Sequence, residues 1–269
     1  MLTFPEFKAE MDASQARVVQ RCLTELTSLG MSRQGLDFVR DLPGYPRTPY
    51  YTTLWVHDPQ VRADLGAGVS IHAVGVKLID DLIDDDQPLS PRDQIFGVQL
   101  LSVGTTLLAS HQRPVEVLKT LEDDYRDIWR QEIVEVAAPR PTTVESWIAA
   151  ARIKAGVMLA NYAAVNCLAG GVPELVGPAR EFGEALGVLY MIGDDAVDFD
   201  EIHERDGNLA HLVASGAVDL TDVAAAIDEW RDRAVAAVRQ GDPVCDLVPF
   251  FDHFAVKLKG LLSRPAATV

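Results

Sequence analysis

Between its prolines, this chain repeats its apolar residues at the helical period almost throughout. Nowhere do β-branched residues alternate with polar ones long enough to make a sheet. The pattern predicts helices over about residues 5–29, 50–86, 91–111, 113–137, 143–170, 174–204, 219–239 and 243–263. The segments "DLPGYPRTP", "QPLSPRD", "APRPTT" and "GDPVCD" separate them with Pro, Gly and Asp. Thr142 or Thr143 is placed to cap the helix that begins near "VESW", with Glu145 in its first turn. No repeat or linker divides the chain. The expectation is one all-α domain over residues 1–269, a single large helical bundle whose central helices are apolar on most faces.

Against that background "KLIDDLIDDDQ", residues 77–87, is anomalous: five aspartates fall in seven positions within an apolar helix. A second cluster, "MIGDDAVDFDE", residues 191–201, also follows an apolar helix. Asp80, Asp81 and Asp84 repeat the D-D-x-x-D spacing of Asp194, Asp195 and Asp198. On a helix the first and last aspartates of each set lie one turn apart on one face. Like charges at that spacing repel, so the arrangement calls for a counterion. Mg²⁺ suits it, since it takes oxygen ligands and is completed by phosphate oxygens. One such cluster is commonly a solvated helix end. Two with identical spacing suggest a pair of jaws that holds a diphosphate through shared metal.

The charge balance supports that reading. With 24 basic against 40 acidic residues there is no basic stripe for nucleic acid, and an anionic ligand would need metal to mediate it. Cys22, Cys167 and Cys245 lie far apart without CxxC spacing and read as reduced, packed thiols of a cytoplasmic protein. "MLTFPEFKAEMDAS" mixes charges early, so no signal peptide is expected. "VMLANYAAVNCLAGG" is too short, and too broken by Asn161 and Asn166, to span a bilayer. The six histidines show no HExxH or clustered spacing, and no G-x-S-x-G, P-loop or G-x-G-x-x-G occurs.

The acidic pair and its surroundings resemble the trans-prenyltransferase-type isoprenoid synthases, whose two aspartate-rich motifs bind Mg²⁺ and an allylic diphosphate in an all-helical bundle with a central cavity. "RIKAGVMLANYAAV" is similar to the family's lysine-centred helix, and "WRQEIVEV" to the helix supplying a site glutamine. "LGVLYMIGDD" resembles the approach to the second motif, although Met191 stands where glutamine is usual. The resemblance runs from about residue 40 to 215. It implies two or three Mg²⁺ ions held by Asp80, Asp81, Asp84, Asp194, Asp195 and Asp198, with Asp80, Asp84 and Asp194 foremost in the chemistry. It also implies Lys154 and Gln131 on the diphosphate, a soluble homodimer, and a prenyl diphosphate as substrate. The family gates its cavity four and five positions before the first motif. Here Val76 and Gly75, both small, imply a deep cavity for C15 or longer chains, with Tyr162, Tyr190 and Phe96 as candidate aromatic linings.

The sequence departs from the family where the second substrate, isopentenyl diphosphate, is bound. "PGYPRTP" leaves only Arg47 of a basic segment, and "DDQPLSPRDQ" has only a displaced Arg92. His72 is one position out of register, and Asn208 replaces a phosphate-binding lysine. A second diphosphate without Arg or Lys partners would meet only repulsion. The expectation is therefore a terpene synthase that ionises and rearranges one prenyl diphosphate, with Arg47, Arg92 or Arg205 as further donors. The alternative is a divergent prenyl diphosphate synthase that recruits Arg47, Arg92 or Lys257. A non-catalytic partner subunit and head-to-head coupling come after these. Lys77 reads as a surface partner of Asp81, and Asp85, Asp86, Asp200 and Glu201 as solvated charge. Trp55, Trp129, Trp147 and Trp230 read as core or interface anchors.

Overall fold

The computed structural model describes residues 1–42, 46–84, 89–135, 140–200 and 207–263, without the side chains of 82–84, 124, 127–128, 131–135 and 200. Among them the structure is all-α. There is no strand, and the one extended pairing is an isolated bridge between Leu2 and Cys245. The chain divides into two compact units.

The first unit comprises Met1–Leu121, Ala164–Val176 and Pro243–Cys245. Helix α1 (Phe4–Ser28) starts at a capping box, in which Glu6 N–H donates to Thr3 Oγ1 and Thr3 N–H to Glu6 Oε2. Its inward residues Phe7, Met11, Ser14, Val18, Cys22 and Leu26 keep helical spacing. Helix α2 (Arg33–Asp41) was not expected from the sequence. Its cap, Ser32, is held by Asp93, which accepts from Ser32 N–H at 2.9 Å and Ser32 Oγ at 2.6 Å. Burial alone would push the Asp93 carboxyl up; these two bonds and one from Ser90 outweigh it and hold it below its usual range.

The expected helix over 50–86 is corrected to a 3-10 turn, Thr48–Thr53, and helix α3 (Pro59–Asp84). The break follows from Asp58, whose carboxylate caps a new start by accepting from Gln60 N–H and Val61 N–H. The 91–111 helix likewise divides into α4 (Pro91–Gln94) and α5 (Gly97–Ala109), and α6 (Pro114–Glu135) follows.

Glycine sets the α3–α5 approach. A Cβ on Gly75 would lie 2.8 Å from Gly97 O and 2.9 Å from Leu101 N, and one on Gly97 would lie 2.6 Å from Gly75 O. Two turns along, a Cβ on Gly104 would lie 2.8 Å from Gly68 O. The two backbones touch where no side chain would fit. Around this crossing Val18, Leu26, Ile71, Val74, Leu78 and Leu100 form a core.

Glu10 ties α1 to the start of α3. Its carboxylate accepts from Arg62 Nε and an Nη, each at 2.9 Å, while Arg62, only 2% exposed, also donates to the Val56 and His57 carbonyls.

The second unit comprises Glu122–Ala163, Gly177–Asp242 and Asp246–Val269. Thr143 caps α7 (Val144–Ala151), as expected. A π-helical turn, Arg152–Gly156, leads into α8 (Val157–Ala169). Together Val144–Ala169 is apolar and long enough to cross a membrane by length and composition, which corrects the shorter reading. More than half of its apolar window, 56%, is buried in the protein, as in a core helix.

A 3-10 turn, Pro173–Leu175, precedes α9 (Val176–Val197), and another, Asp198–Asp200, follows it. Gly183 and Gly187 on α9 meet the Leu159 and Ala155 carbonyls where a Cβ would clash. Helix α10 (Leu209–Ala214) was also not expected. Helices α11 (Leu220–Val238) and α12 (Val248–Leu262) complete the unit. The expected 243–263 helix starts later because Val244 N–H donates to Leu54 O and Leu2 N–H to Val244 O. The three cysteines are buried and form no disulfide, and burial pushes the Cys22 and Cys167 thiols up to about 12.

Candidate functional site

Helix α3 delivers the first acidic cluster at its C-terminal end. Its inner stripe, Val74 and Leu78, faces the core of the first unit, and Val76, Lys77 and Ile79 lie half-buried beside it. Asp80 keeps 13% of its side chain exposed, whereas Asp81 is wholly buried. Lys77, one turn back, puts its ammonium 2.6 Å from Asp81 Oδ1 and 3.7 Å from Asp80 Oδ2. The surface pairing expected of Lys77 is corrected: its partner lies in the interior, where an ionised carboxylate needs a cation beside it. The Asp84 side chain, and Asp85 and Asp86, lie outside the described residues.

Helix α9 delivers the second cluster. Asp194 is exposed in its last turn, and Asp195 is half-buried. One Asp195 oxygen, Oδ2, accepts from Trp147 Nε1 at 2.8 Å and from Leu209 N–H at 2.5 Å. The α-helix stops at Val197, so Asp198 opens a 3-10 turn rather than continuing the α-helical face assumed from its spacing. Among the described residues, no group of three or more acidic, His or Cys side chains could hold a metal ion as placed.

The cations are distributed as follows. Lys154 is exposed on the π-helical turn, just before its buried residues Ala155 and Gly156. Arg47 pairs with Asp12 at 2.8 Å. Arg92 is exposed on α4, with a guanidinium nitrogen over Gly30. Lys257 is exposed on α12. Asn208 is the N-cap of α10: Oδ1 accepts from His211 N–H, and Nδ2 donates to Asp195 O at 3.1 Å. Gln131 lies on α6 with its side chain outside the described residues, as does the whole of Arg205 and Glu201.

Solved structures match this arrangement of helices over nearly its full length. A polyprenyl synthase from Roseobacter denitrificans aligns with 95% of this chain and 98% of its own at 19% identity and a TM-score of 0.69. A decaprenyl diphosphate synthase from Rhodobacter capsulatus covers 92% of this chain and 96% of its own at 18% identity, TM-score 0.67. A geranylgeranyl pyrophosphate synthase from Lactobacillus brevis covers 96% and 98% at 18% identity, TM-score 0.66. This is the isoprenoid synthase fold. No protein-family model matches the sequence, and no curated protein matches it.

Within the isoprenoid synthase fold of this chain, the expected pocket residues have varied surroundings. Gly75 lies where α3 and α5 meet, and its missing Cβ is what lets α5 approach. Val76 is half-buried. Phe96 packs on the core of the first unit. Tyr162 is wholly buried on α8 and Tyr190 half-buried on α9. His72, the out-of-register histidine, is buried against α5, and burial lowers it to about 3.

Sequence reasoning missed two residues beside the second cluster. Trp147 read as a packing anchor, yet its indole N–H bonds Asp195. His211 is one of the six histidines without ligand spacing, yet Nε2 lies 2.7 Å from Phe199 O and its ring stacks on Phe199 at 4.4 Å. Neither has a signal in sequence spacing, since each partner is far along the chain.

Proposed function

We propose that this chain is a divalent-metal-dependent isoprenoid synthase that ionises an allylic prenyl diphosphate and transfers the prenyl group to isopentenyl diphosphate. The observation that carries this is the match, over more than nine-tenths of the chain, to synthases of polyprenyl and geranylgeranyl diphosphates. The chain's two D-D-x-x-D clusters support it from an independent direction.

The donors fit the metal chemically. Every candidate ligand is a carboxylate oxygen, the hard donor that Mg²⁺ prefers; Asp194 is exposed, and Asp80 keeps 13% of its side chain exposed. Within each unit the acidic end of one helix, Asp80 and Asp84 on α3 or Asp194 and Asp198 at the end of α9, would bind metal. Bound Mg²⁺ would supply the positive charge that makes the diphosphate a good leaving group. Asp81 and Asp195 serve differently: one is paired in the interior with Lys77, and one ties α9 to α7 and α10. Lys154 offers its ammonium to a phosphate oxygen. Heterolysis of the substrate C–O bond sends the electron pair to the diphosphate and leaves an allylic cation. The alkene of isopentenyl diphosphate attacks that cation, and the tertiary cation so formed gives up a proton to the released diphosphate.

A specific observation favours a second reading, a terpene synthase using one substrate. Arg47 is paired to Asp12, Asn208 caps a helix, and His72 is buried, so none presents a cation for a second diphosphate. Incubation with Mg²⁺ and C10, C15 or C20 prenyl diphosphate, with and without isopentenyl diphosphate, separates the two. A longer diphosphate formed only with isopentenyl diphosphate supports transfer. A hydrocarbon or alcohol from the single substrate supports the second reading. No turnover of any combination removes both.

A further inference from the structure

We propose that Trp147 and His211 are positioning residues of the second acidic cluster, which hold the backbone on either side of its metal-facing carboxylates. The proposal rests on the metal-dependent reading above and deepens it.

The end of α9 poses a mechanical problem. Asp194, Asp195 and Asp198 concentrate like charge where the helix stops, and the last turn of a helix leaves carbonyls without intrahelical donors. Left alone, such an end frays and its carboxylates splay apart. Two contacts from other elements oppose this. Upstream, Asp195 is fixed through its side chain by Trp147 Nε1 on α7 and Leu209 N–H on α10, and through its carbonyl by Asn208 Nδ2. Downstream, the Phe199 carbonyl meets His211 Nε2 at 2.7 Å. A carbonyl can only accept, so Nε2 carries the hydrogen and the tautomer is fixed. The two rings lie face to face, 10° from parallel.

Asp195 and Phe199 each adjoin a carboxylate assigned to metal: Asp194 precedes the first and Asp198 precedes the second. The same short helix closes the arrangement, because Asn208 caps α10 by accepting from His211 N–H. Trp147, Asn208, Leu209 and His211 thus form one brace on the turn. Outer partners of this kind act on metal affinity by fixing ligand direction, and their loss typically weakens binding by about 10–100-fold.

The test is uptake of Mn²⁺, read by electron paramagnetic resonance, by the purified full chain with inorganic pyrophosphate present, alongside circular dichroism. Trp147→Phe keeps the ring and removes its N–H donor. His211→Phe keeps the stack and removes the donor, while His211→Gln keeps a donor near the position of Nε2. W147F and H211F are expected to stay folded and to raise the Mn²⁺ half-saturation concentration roughly tenfold. H211Q is expected to restore most of the loss, which a merely structural role for the ring would not predict. An unaltered half-saturation in folded H211F overturns the role of His211, and the same result in W147F overturns that of Trp147. Absence of uptake by the unsubstituted chain overturns the metal reading and this one together, whereas normal uptake by every variant overturns this one alone.

Discussion

Lys77 Nζ lies 2.6 Å from Asp81 Oδ1, within a helix whose outer face carries Asp80 only 13% exposed. This pairing makes the first D-D-x-x-D cluster tolerable as folded structure. A wholly buried carboxylate beside a second one would otherwise take up a proton or drive local unfolding. Lys77→Met is expected to destabilise the chain by about 3 kcal/mol, because it removes the cation 2.6 Å from a wholly buried carboxylate. Adding Asp81→Asn should recover part of that. Urea denaturation of the two variants measures both; an unchanged midpoint for K77M would show that the pair carries no stability.

Asp80 and Asp194 present the most accessible carboxylates described in their respective clusters. Asp80→Ala and Asp194→Ala should each lower product formation by roughly a hundredfold or more while the circular dichroism spectrum is retained. Product assays at saturating Mg²⁺ and prenyl diphosphate check this. Wild-type rates in both variants would remove the metal assignment.

Gly75 lies where α3 and α5 touch, with Gly97 O and Leu101 N both within 3 Å of any added Cβ. Because both neighbours are backbone atoms, Gly75→Ala must push the helices apart, at about 1–3 kcal/mol. A residue that merely opened a cavity would behave oppositely, with Gly75→Ala leaving the melting temperature intact and shortening the product. Thermal denaturation and product chain length, read on one preparation, distinguish the two.

His72 is buried, which lowers it from 6.5 to about 3. Above pH 6.5 both folded and unfolded states are neutral there, so the group is silent. Between pH 6.5 and about 3 the unfolded chain takes the proton and the folded one does not, so stability falls as pH falls. The loss from this group is about 2 kcal/mol by pH 5. His72→Gln should flatten that part of the profile. An unchanged slope of stability against pH between 5 and 6.5 would rule the group out.

The helical class was legible because it is a local property. The capping box at Thr3 and Glu6, the Thr143 cap and the 3.6-residue stripes are written in neighbouring residues. Boundaries failed where a distant partner decided them. The Ser32 cap of α2 is stabilised by Asp93, and the late start of α12 follows bonds from Val244 and Leu2. The break before α3 was the exception, since Asp58 sits in sequence next to the amides it caps.

For the candidate site the division is sharper. Sequence spacing alone determined that two matched carboxylate clusters terminate two apolar helices, because i and i+4 positions share a helical face whatever surrounds them. Tertiary structure alone decided how those carboxylates are employed. Asp81 is buried against Lys77, Asp195 accepts from Trp147 and Leu209, Asp80 keeps 13% of its side chain exposed, and Asp194 is exposed. Chemically identical side chains separate into these roles because desolvation and hydrogen bonding depend on what packs around each one. No pattern of neighbours along a chain encodes that.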